Sequence, residues 1–246
     1  AKACEESEEL ILFFQLNPEQ FIEGSPNHQA FFSSVAYLKK QIDQHRHLHV
    51  HFGNPKDSFK ELLKAVPEIT DIYFNTDETG YGATRDQEMR TFFKEQKIQV
   101  HEFMDGYLHG AREITRNGNY YKVYTPYYKK WIEQVKESPI EVNLSKTTVK
   151  SQLIFEKEEA RFKTFCEQLP VLDDQPLGEA YAIERLKKFV KEDLKVYDQK
   201  RDIPGADQTS RLSRHLRTGE ISIRTVWQVV QKAPNSTGKT TFEKEL

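Results

Sequence analysis

The sequence predicts an α/β protein with a parallel sheet that carries helices on both faces, followed by an all-α part. Up to about residue 103, short apolar runs alternate with stretches of helical spacing. The first run, Leu10–Leu16, is nearly continuous, as expected for a strand that is buried on both faces. From Gly178 onward only helical spacing recurs. This order of elements indicates a doubly wound α/β domain that precedes the start of a helical domain.

The α/β part contains four apolar runs that we interpret as strands: Leu10–Leu16, Leu48–Phe52, Ile69–Phe74 and Ile98–Phe103. Between them, apolar residues recur at helical spacing within residues 31–42, 59–66 and 84–96. We expect right-handed crossovers between these strands. Ligands of such sheets sit beyond the carboxyl ends of the strands. Polar residues follow three of these ends, at Asn17-Pro18, Gly53-Asn54 and Asn75-Thr76-Asp77.

The middle of the chain has weaker patterns. Residues 105–122 are rich in Gly, Asn and charge, which predicts a long loop. Thr125 and Pro126 are suited to the N-cap and first position of a helix. Prolines and acidic pairs then predict a linker with a helical piece near Glu156–Cys166. After Gly178, an apolar stripe that begins at Ile183 predicts the first helix of the all-α part.

Composition limits the possible functions. The chain has 246 residues, 37% hydrophobic and 30% charged, with a formal net charge of −2. It is therefore not basic overall, and a nucleic-acid surface would have to be a local patch. No apolar run approaches the ~20 residues that span a bilayer. Because Cys4 and Cys166 show no metal or redox spacing and no secretory signal is visible, we expect reduced thiols in a cytoplasmic protein.

Residues 197–227 are the most informative segment. Three hydroxyls, Thr209, Ser210 and Ser213, follow Pro204-Gly205 at an expected helix start. A helix N-terminus with hydroxyls and free N–H groups suits a phosphate or pyrophosphate. Residues 195–217 contain six Lys/Arg against three Asp. This excess of positive charge suits a second, longer polyanion.

The segment also carries a family resemblance. Tyr-x-x-x-Arg-Asp-x-Pro at 197–204 leads into Thr-Ser-Arg-Leu-Ser at 209–213 and Gly-Glu-Ile-Ser-x-Arg at 219–224. This closely resembles the flavin-binding segment of the DNA photolyase/cryptochrome family, in particular class I-type cyclobutane pyrimidine dimer photolyases. The strings FFQLNPEQF at 13–21, YKVYTPYYKKW at 121–131 and TTFEKEL at 240–246 extend the resemblance over nearly the whole chain.

The resemblance implies a domain organisation. Residues 1–125 would be the Rossmann-like antenna domain without the family's first strand. Residues 126–177 would be an interdomain linker, and residues 178–246 the N-terminal part of the helical FAD-binding domain. On this interpretation the sequence is a fragment that is truncated at both ends, and we expect it alone to be inactive and to retain FAD poorly.

The resemblance also implies site residues. Tyr197, the run Thr209, Ser210, Arg211, Leu212 and Ser213, and Phe242 would bind FAD. Arg201 would contact the DNA backbone, and Glu245 would be the catalytic residue that hydrogen-bonds the pyrimidine dimer. The implied enzyme is a deoxyribodipyrimidine photo-lyase, a monomer that repairs dimers in damaged DNA by electron transfer from reduced FAD.

Two points stay open in this interpretation. A second antenna chromophore of folate or deazaflavin type is compatible with the strand ends, but Tyr81 and Gly82 replace the Asn-Glu pair that many relatives use for folate. The alternatives to repair are a cryptochrome-type blue-light photoreceptor, or a stand-alone nucleotide-binding α/β domain.

Two further patterns are weak. Residues 233–240 match a loose P-loop pattern, yet they follow a helix-like stretch rather than a buried strand. His45, His47, His49 and His51 alternate along one face of an extended segment. Alternate strand positions converge poorly on a metal ion, so we predict no metal site.

Overall fold

A computed structural model describes residues 1–17, 20, 22–110, 112–143, 145, 147–152, 154–169 and 176–246. The strands are β1 (Glu9–Leu10), β2 (Leu12–Leu16), β3 (Leu48–Phe52), β4 (Asp71–Asn75), β5 (Gln99–Phe103), β6 (Thr115–Arg116), β7 (Asn119–Tyr120) and β8 (Thr148–Val149). The α-helices are α1 (Lys2–Glu6), α2 (Pro26–Ile42), α3 (Pro55–Ala65), α4 (Gly80–Glu95), α5 (Tyr124–Glu133), α6 (Glu156–Glu167), α7 (Glu179–Glu192), α8 (Tyr197–Lys200), α9 (Ser213–Arg217), α10 (Ile223–Gln231) and α11 (Thr237–Glu243). Short 3-10 turns form at Leu194–Val196 and Pro204–Ala206.

The chain divides into two compact units. The sheet unit comprises residues 1–103 and 140–177, and the helical unit comprises residues 104–139 and 178–246. Residues 104–125 therefore pack with the helices rather than with the sheet, although they were placed in the first predicted segment. The predicted linker, residues 126–177, is likewise shared between the two units.

The sheet unit contains the predicted parallel strands. β2 pairs with β3 from Leu12↔Leu48 to Leu16↔Phe52, and β4 pairs with β5 from Asp71↔Gln99 to Asn75↔Phe103. The α/β class is confirmed, with strands and helices close to their predicted positions. Among the described residues, no ladder of backbone hydrogen bonds joins the β2–β3 pair to the β4–β5 pair. A cavity of about 880 Å³ lies between them and is lined by both β2 and β4.

The outer edge of β3 is covered by α6. The backbone N–H of Val50 donates to Glu159 Oε1 at 3.4 Å, and that of Phe52 donates to Glu158 Oε2 at 3.0 Å. The Lys39 ammonium forms ion pairs with Glu159 and with Asp43, each at 2.9 Å. These carboxylates satisfy strand N–H groups that would otherwise be open to pairing with another chain.

The helical unit is built around one apolar core. Helices α7 and α10 contribute Leu186, Phe189, Val226 and Val230, which are at most 3% exposed. A second cluster joins Trp131 of α5 to Trp227 of α10, with ring centroids 5.5 Å apart. The described elements after Gly178 are α-helices and 3-10 turns, which confirms the all-α character of this part.

Two local predictions are wrong. Residues 105–122 do not form a plain loop, because β6 and β7 make a short antiparallel hairpin. Its turn residues, Asn117 and Gly118, have φ of 52° and 77°, and Asn-Gly is the preferred dipeptide of such tight turns. Thr125 is not the N-cap of α5, since the helix begins at Tyr124 and Val123 occupies the cap position.

The cysteines of the sheet unit are free. Burial raises the pKa of the Cys166 thiol to about 11, so this side chain stays protonated and poorly reactive at neutral pH. None of the helices that the structure describes combines the length and the apolar character that crossing a bilayer requires.

Lys136 gives the helical unit a pH-dependent contact. Its ammonium lies 4.1 Å from the Trp131 ring centroid and 5.3 Å from that of Trp227, and donates to the carbonyl of Gln134 at 2.9 Å. Burial lowers the pKa of Lys136 from 10.5 to about 8, and Glu243 opposes this shift.

We expect the free energy of unfolding to rise with pH between about 8 and 10.5, because the unfolded chain still binds the Lys136 proton there while the folded chain has released it. The gain should be roughly 1 kcal/mol after a discount for solvent screening. Urea unfolding of the wild type and of Lys136→Met across this pH range measures it. A parallel rise in both proteins would assign the effect to other groups.

Candidate nucleotide and DNA site of the helical unit

Three aromatic side chains bring α7, α8 and α11 together. Tyr197 lies 5.2 Å from Phe242 and 5.7 Å from Phe189 between ring centroids, and Phe189 lies 4.8 Å from Phe242. All three are buried. Burial raises the pKa of the Tyr197 phenol, so it stays neutral. The structure therefore brings the two predicted flavin contacts, Tyr197 and Phe242, into one cluster, where they also pack the core.

Arg201 and Glu245 meet at the surface beside this cluster. The Arg201 guanidinium forms an ion pair with the Glu245 carboxylate and lies 5.6 Å from the Tyr197 ring centroid. The ion pair raises the pKa of Arg201, which stays charged. Both side chains remain partly exposed. The two predicted DNA contacts, which are 44 residues apart in sequence, are thus direct neighbours.

The hydroxyl-rich run approaches α9 as an extended loop. The helix begins only at Ser213 and has five residues, so Thr209 and Ser210 precede it rather than open it. Asp207 and Arg211 have φ of 47° and 51°, and their side chains form an ion pair. These two left-handed residues give the loop its sharp bends.

The side chains of the run have different environments. Thr209 and Ser210 are half-buried, Arg211 and Ser213 are exposed, and Leu212 is 1% exposed in the apolar core. Both backbone groups of Leu212 are engaged within the chain, since its N–H donates to Ser210 Oγ at 3.4 Å and its carbonyl accepts the Leu216 N–H at 2.9 Å. Arg185 of α7, which the sequence did not single out, donates to the Ser210 carbonyl at 3.1 Å. This hydrogen bond joins the loop to α7.

The Gly-Glu-Ile-Ser-x-Arg motif is structural in this unit. Glu220 pairs with the buried His215 and accepts the Gly178 N–H at 3.2 Å, which ties the loop after α9 to the start of α7. Arg224 forms an ion pair with Asp105 and donates to the Met104 carbonyl at 2.9 Å. The motif therefore holds three separate segments of the helical unit in place.

The last residues of the P-loop pattern form the N-terminal cap and first turn of α11. Ser236 Oγ accepts the Lys239 N–H at 3.0 Å, and the Lys239 ammonium donates to the carbonyls of Gln231 and Ala233 at 3.0 Å each. Lys239 is 5% exposed, so its charge satisfies the end of α10 and is not offered to a phosphate. The pattern follows a helix, as the sequence indicates.

Tyr124 is a further residue of this region that the sequence did not single out. Its hydroxyl donates to the Lys244 carbonyl at 2.8 Å, directly before Glu245. The Lys244 ammonium in turn lies 5.7 Å from the Tyr128 ring centroid. Helix α5 is thereby joined to the last turn of α11. The aromatic YTPYYKKW string makes this helix conspicuous in the sequence. Nothing in the sequence, however, indicates that Tyr124 contacts residue 244.

The strand ends of the sheet unit are linked by the chain itself. Asn17 donates to the Tyr81 hydroxyl at 2.9 Å, and Pro18 lies outside the described residues. Asp86 is 2% exposed, accepts the Asp77 N–H at 2.8 Å and pairs with Arg85. Arg85 is thus already neutralised and offers little to an acidic chromophore.

Three histidines of the alternating run, His47, His49 and His51, have different partners. His47 contacts Glu159 at 3.2 Å, His49 lies 3.4 Å from the Lys150 carbonyl, and His51 lies 3.0 Å from Ser58 Oγ. Burial, followed by the nearby His47, lowers the pKa of His49. Among the residues that the structure describes, no cluster of His, Cys, Asp or Glu has metal-binding geometry.

Comparisons with known proteins identify the family that this chain matches. The family model "DNA photolyase" matches residues 1–146. A deoxyribodipyrimidine photo-lyase of Alkalihalophilus pseudofirmus is 31% identical over 96% of this chain and 50% of its own length. One of Synechococcus sp. is 28% identical over 95% of this chain and 50% of its own length. The chain spans about half the length of these curated relatives.

Solved structures show the same fold. A bacterial class III photolyase from Agrobacterium tumefaciens superimposes with a TM-score of 0.83 at 22% identity, over 99% of this chain and 52% of its own. A cryptochrome from Synechocystis sp. PCC6803 gives 0.75 at 17% identity, over 95% of this chain and 52% of its own. At these identities the likeness concerns the fold alone.

Proposed function

The chain belongs to the DNA photolyase family, and from this premise we propose that its full-length protein is a deoxyribodipyrimidine photo-lyase. Its substrate would be DNA that contains cyclobutane pyrimidine dimers, and its cofactor FAD. The observation that carries the proposal is the Arg201–Glu245 ion pair beside the Tyr197–Phe242 contact. We include the expected monomeric state and cytoplasmic location in this proposal.

The donor set of the helical unit suits FAD. Thr209, Ser210 and Ser213 bring three hydroxyls within five residues, and Ser213 is exposed. Such donors are suited to a pyrophosphate. Phe242 and Tyr197 would border the cofactor. Reduced FAD, when bound and excited by light, supplies the electron that opens the cyclobutane ring.

Arg201 and Glu245 would act on the DNA. The Arg201 guanidinium is suited to a phosphate oxygen, and the Glu245 carboxylate is suited to accept a hydrogen bond from a base edge. Their ion pair holds the two side chains together before DNA binds. A phosphate that competes for Arg201 would release the Glu245 carboxylate toward the dimer, whose base must leave the duplex to reach it.

We also propose that the cavity of the sheet unit receives one further parallel strand, which the predicted domain organisation requires. One strand between two others spans about two spacings of 4.8 Å, and five residues extend about 17 Å. The edges of β2 and β4 that line the cavity are each five residues long. A second chromophore at the strand ends belongs to the same proposal. Arg85 and Asp86 favour an uncharged one.

The test of the function is light-dependent repair. Full-length protein with reduced FAD should remove dimers from ultraviolet-treated oligothymidylate under blue light and not in the dark. Absorbance of the restored thymine rings measures the reaction. Bound flavin without any loss of dimers would contradict repair and favour the cryptochrome-type photoreceptor.

Arg201→Ala is expected to weaken binding to dimer-containing duplex DNA and to reduce the slope of log affinity against log salt by about 0.9, the value for one phosphate contact. FAD content should not change, because the guanidinium is partly exposed and pairs with Glu245. Anisotropy titrations over a range of salt concentrations measure the slope. Lys191→Ala, an exposed charge on α7, is the matched control. Loss of flavin in the Arg201 variant would contradict the backbone role.

A further inference from the structure

An exposed aromatic and basic strip borders the predicted DNA contacts of the helical unit. We define the hairpin strip as Arg116, Tyr120, Lys122 and Tyr124, on and directly after the β6–β7 hairpin. Tyr120 is 62% exposed and Tyr124 is 53% exposed. A contiguous exposed apolar patch often marks an interaction site. A two-stranded hairpin of this size gains little stability from its own contacts. Because most of the Tyr120 side chain is exposed, packing does not explain why a tyrosine stands at this position.

The charge around the hairpin strip is strongly positive for this chain. Residues 112–136 contain six Lys/Arg against two Glu, whereas the whole chain has a net charge of −2. Lys129 of α5 is exposed and adds to this positive charge, whereas Lys130 pairs with Glu133. Exposed tyrosines among lysines and arginines suit a polyanion that also offers flat rings, which describes a single strand of nucleic acid.

The hairpin strip is continuous with the predicted DNA contacts. Tyr124 donates to the Lys244 carbonyl, and the next residue is Glu245, the partner of Arg201. Burial and then the nearby Glu245 carboxylate raise the pKa of the Tyr124 phenol, which therefore stays a neutral donor. A strand that reaches Glu245 can thus continue to Tyr124, which lies four positions from Tyr120 along the chain.

We propose that the hairpin strip binds the unpaired DNA strand next to the site of Arg201 and Glu245, with Tyr120 stacking on a base and Arg116 and Lys122 contacting phosphates. The proposal rests on the proposed function, because that function brings DNA with a flipped-out base to Glu245. Stacking tolerates any sequence, since every base has a π-face. The strip would therefore add affinity for single-stranded character beside the lesion rather than for a base sequence.

The test uses a labelled single-stranded oligothymidylate, the same sequence as a duplex, and polyphosphate as a polyanion without bases. Tyr120→Ala should weaken binding to the single strand at least fivefold, in line with ~1–3 kcal/mol per stacked base. Tyr120→Phe should bind like the wild type, because it keeps the ring. Tyr107→Ala, a tyrosine of similar exposure (57%), is the matched control. Lys122→Gln should make the salt dependence shallower by about 0.7, and Lys188→Gln should not.

Equal affinities of Tyr120→Ala and Tyr107→Ala for the single strand would overturn the proposal. So would polyphosphate binding as tightly as the oligonucleotide, because rings would then contribute nothing. The failure of the proposed function is distinguishable from these results. Selective loss in Tyr120→Ala without light-dependent dimer removal would retain the hairpin strip and reject repair. Dimer removal with an unaffected Tyr120→Ala would retain repair and reject the strip.

Discussion

Gly238→Ala is expected to destabilise the helical unit by about 2 kcal/mol or more. A Cβ atom at this position would lie 2.7 Å from the Lys195 carbonyl oxygen and closer still to that of Leu194. Real Cβ contacts are not this short, and both neighbours are backbone atoms of a 3-10 turn that cannot rotate away. Severe overpacking of this kind costs ~3 kcal/mol or more. This exceeds the ~1 kcal/mol that alanine gains over glycine in a helix.

Two other glycines are matched controls for this substitution. Gly205 has no neighbour within 4 Å of the added Cβ, so Gly205→Ala should change the free energy of unfolding by less than about 0.5 kcal/mol. Gly82→Ala would meet the Asp77 side chain, with its Cβ and Cγ at 2.5 Å; the exposed carboxylate can rotate away, whereas the Cβ moves only with the loop backbone. Its cost should lie between the other two. Urea unfolding ranks the three variants, and a Gly238→Ala variant as stable as Gly205→Ala would contradict the close approach.

Gly238 also shows where sequence reasoning stops. The sequence context of the Gly238-Lys239-Thr240 triplet argues against a P-loop, and the burial of Lys239 agrees with this interpretation. The reason for glycine there is the approach of α11 to the turn at residues 194–196, which is a tertiary contact. No local pattern contains it. The contact between Tyr124 and Lys244 is hidden in the same way, because 120 residues separate the two partners.

Periodicity, by contrast, predicted the elements well. The runs at 48–52 and 98–103 correspond to β3 and β5 within one residue, and the helical piece near 156–166 corresponds to α6. The hairpin at 115–120 was missed because two-residue strands show no alternation, although its Asn117-Gly118 turn was visible. The identity of the site residues came from family motifs, since spacing alone could not bring Arg201 and Glu245 together.

Four of the predicted cofactor residues differ in how deeply their side chains are buried in the helical unit. Phe242 and Leu212 are buried in the core, so their loss would unfold the unit before it reported on FAD. Thr209 is half-buried and Ser213 is exposed, so their hydroxyls can be removed at little structural cost. The pair Thr209 and Ser213 is therefore the clean probe of the nucleotide site.

Changing Thr209 and Ser213 together to alanine in the full-length protein should weaken FAD binding at least tenfold. A hydrogen bond to a charged phosphate contributes about 1.5–3 kcal/mol, and 1.4 kcal/mol corresponds to a factor of ten. Flavin fluorescence titration measures the dissociation constant. The matched control replaces Thr125 and Thr237, which are exposed threonines of the same unit, and should bind FAD like the wild type. If the Thr209/Ser213 variant keeps the wild-type dissociation constant, backbone N–H groups alone would hold the phosphates. The side chains would then have to be dropped from the site, while the loop bent at Asp207 and Arg211 would remain its frame.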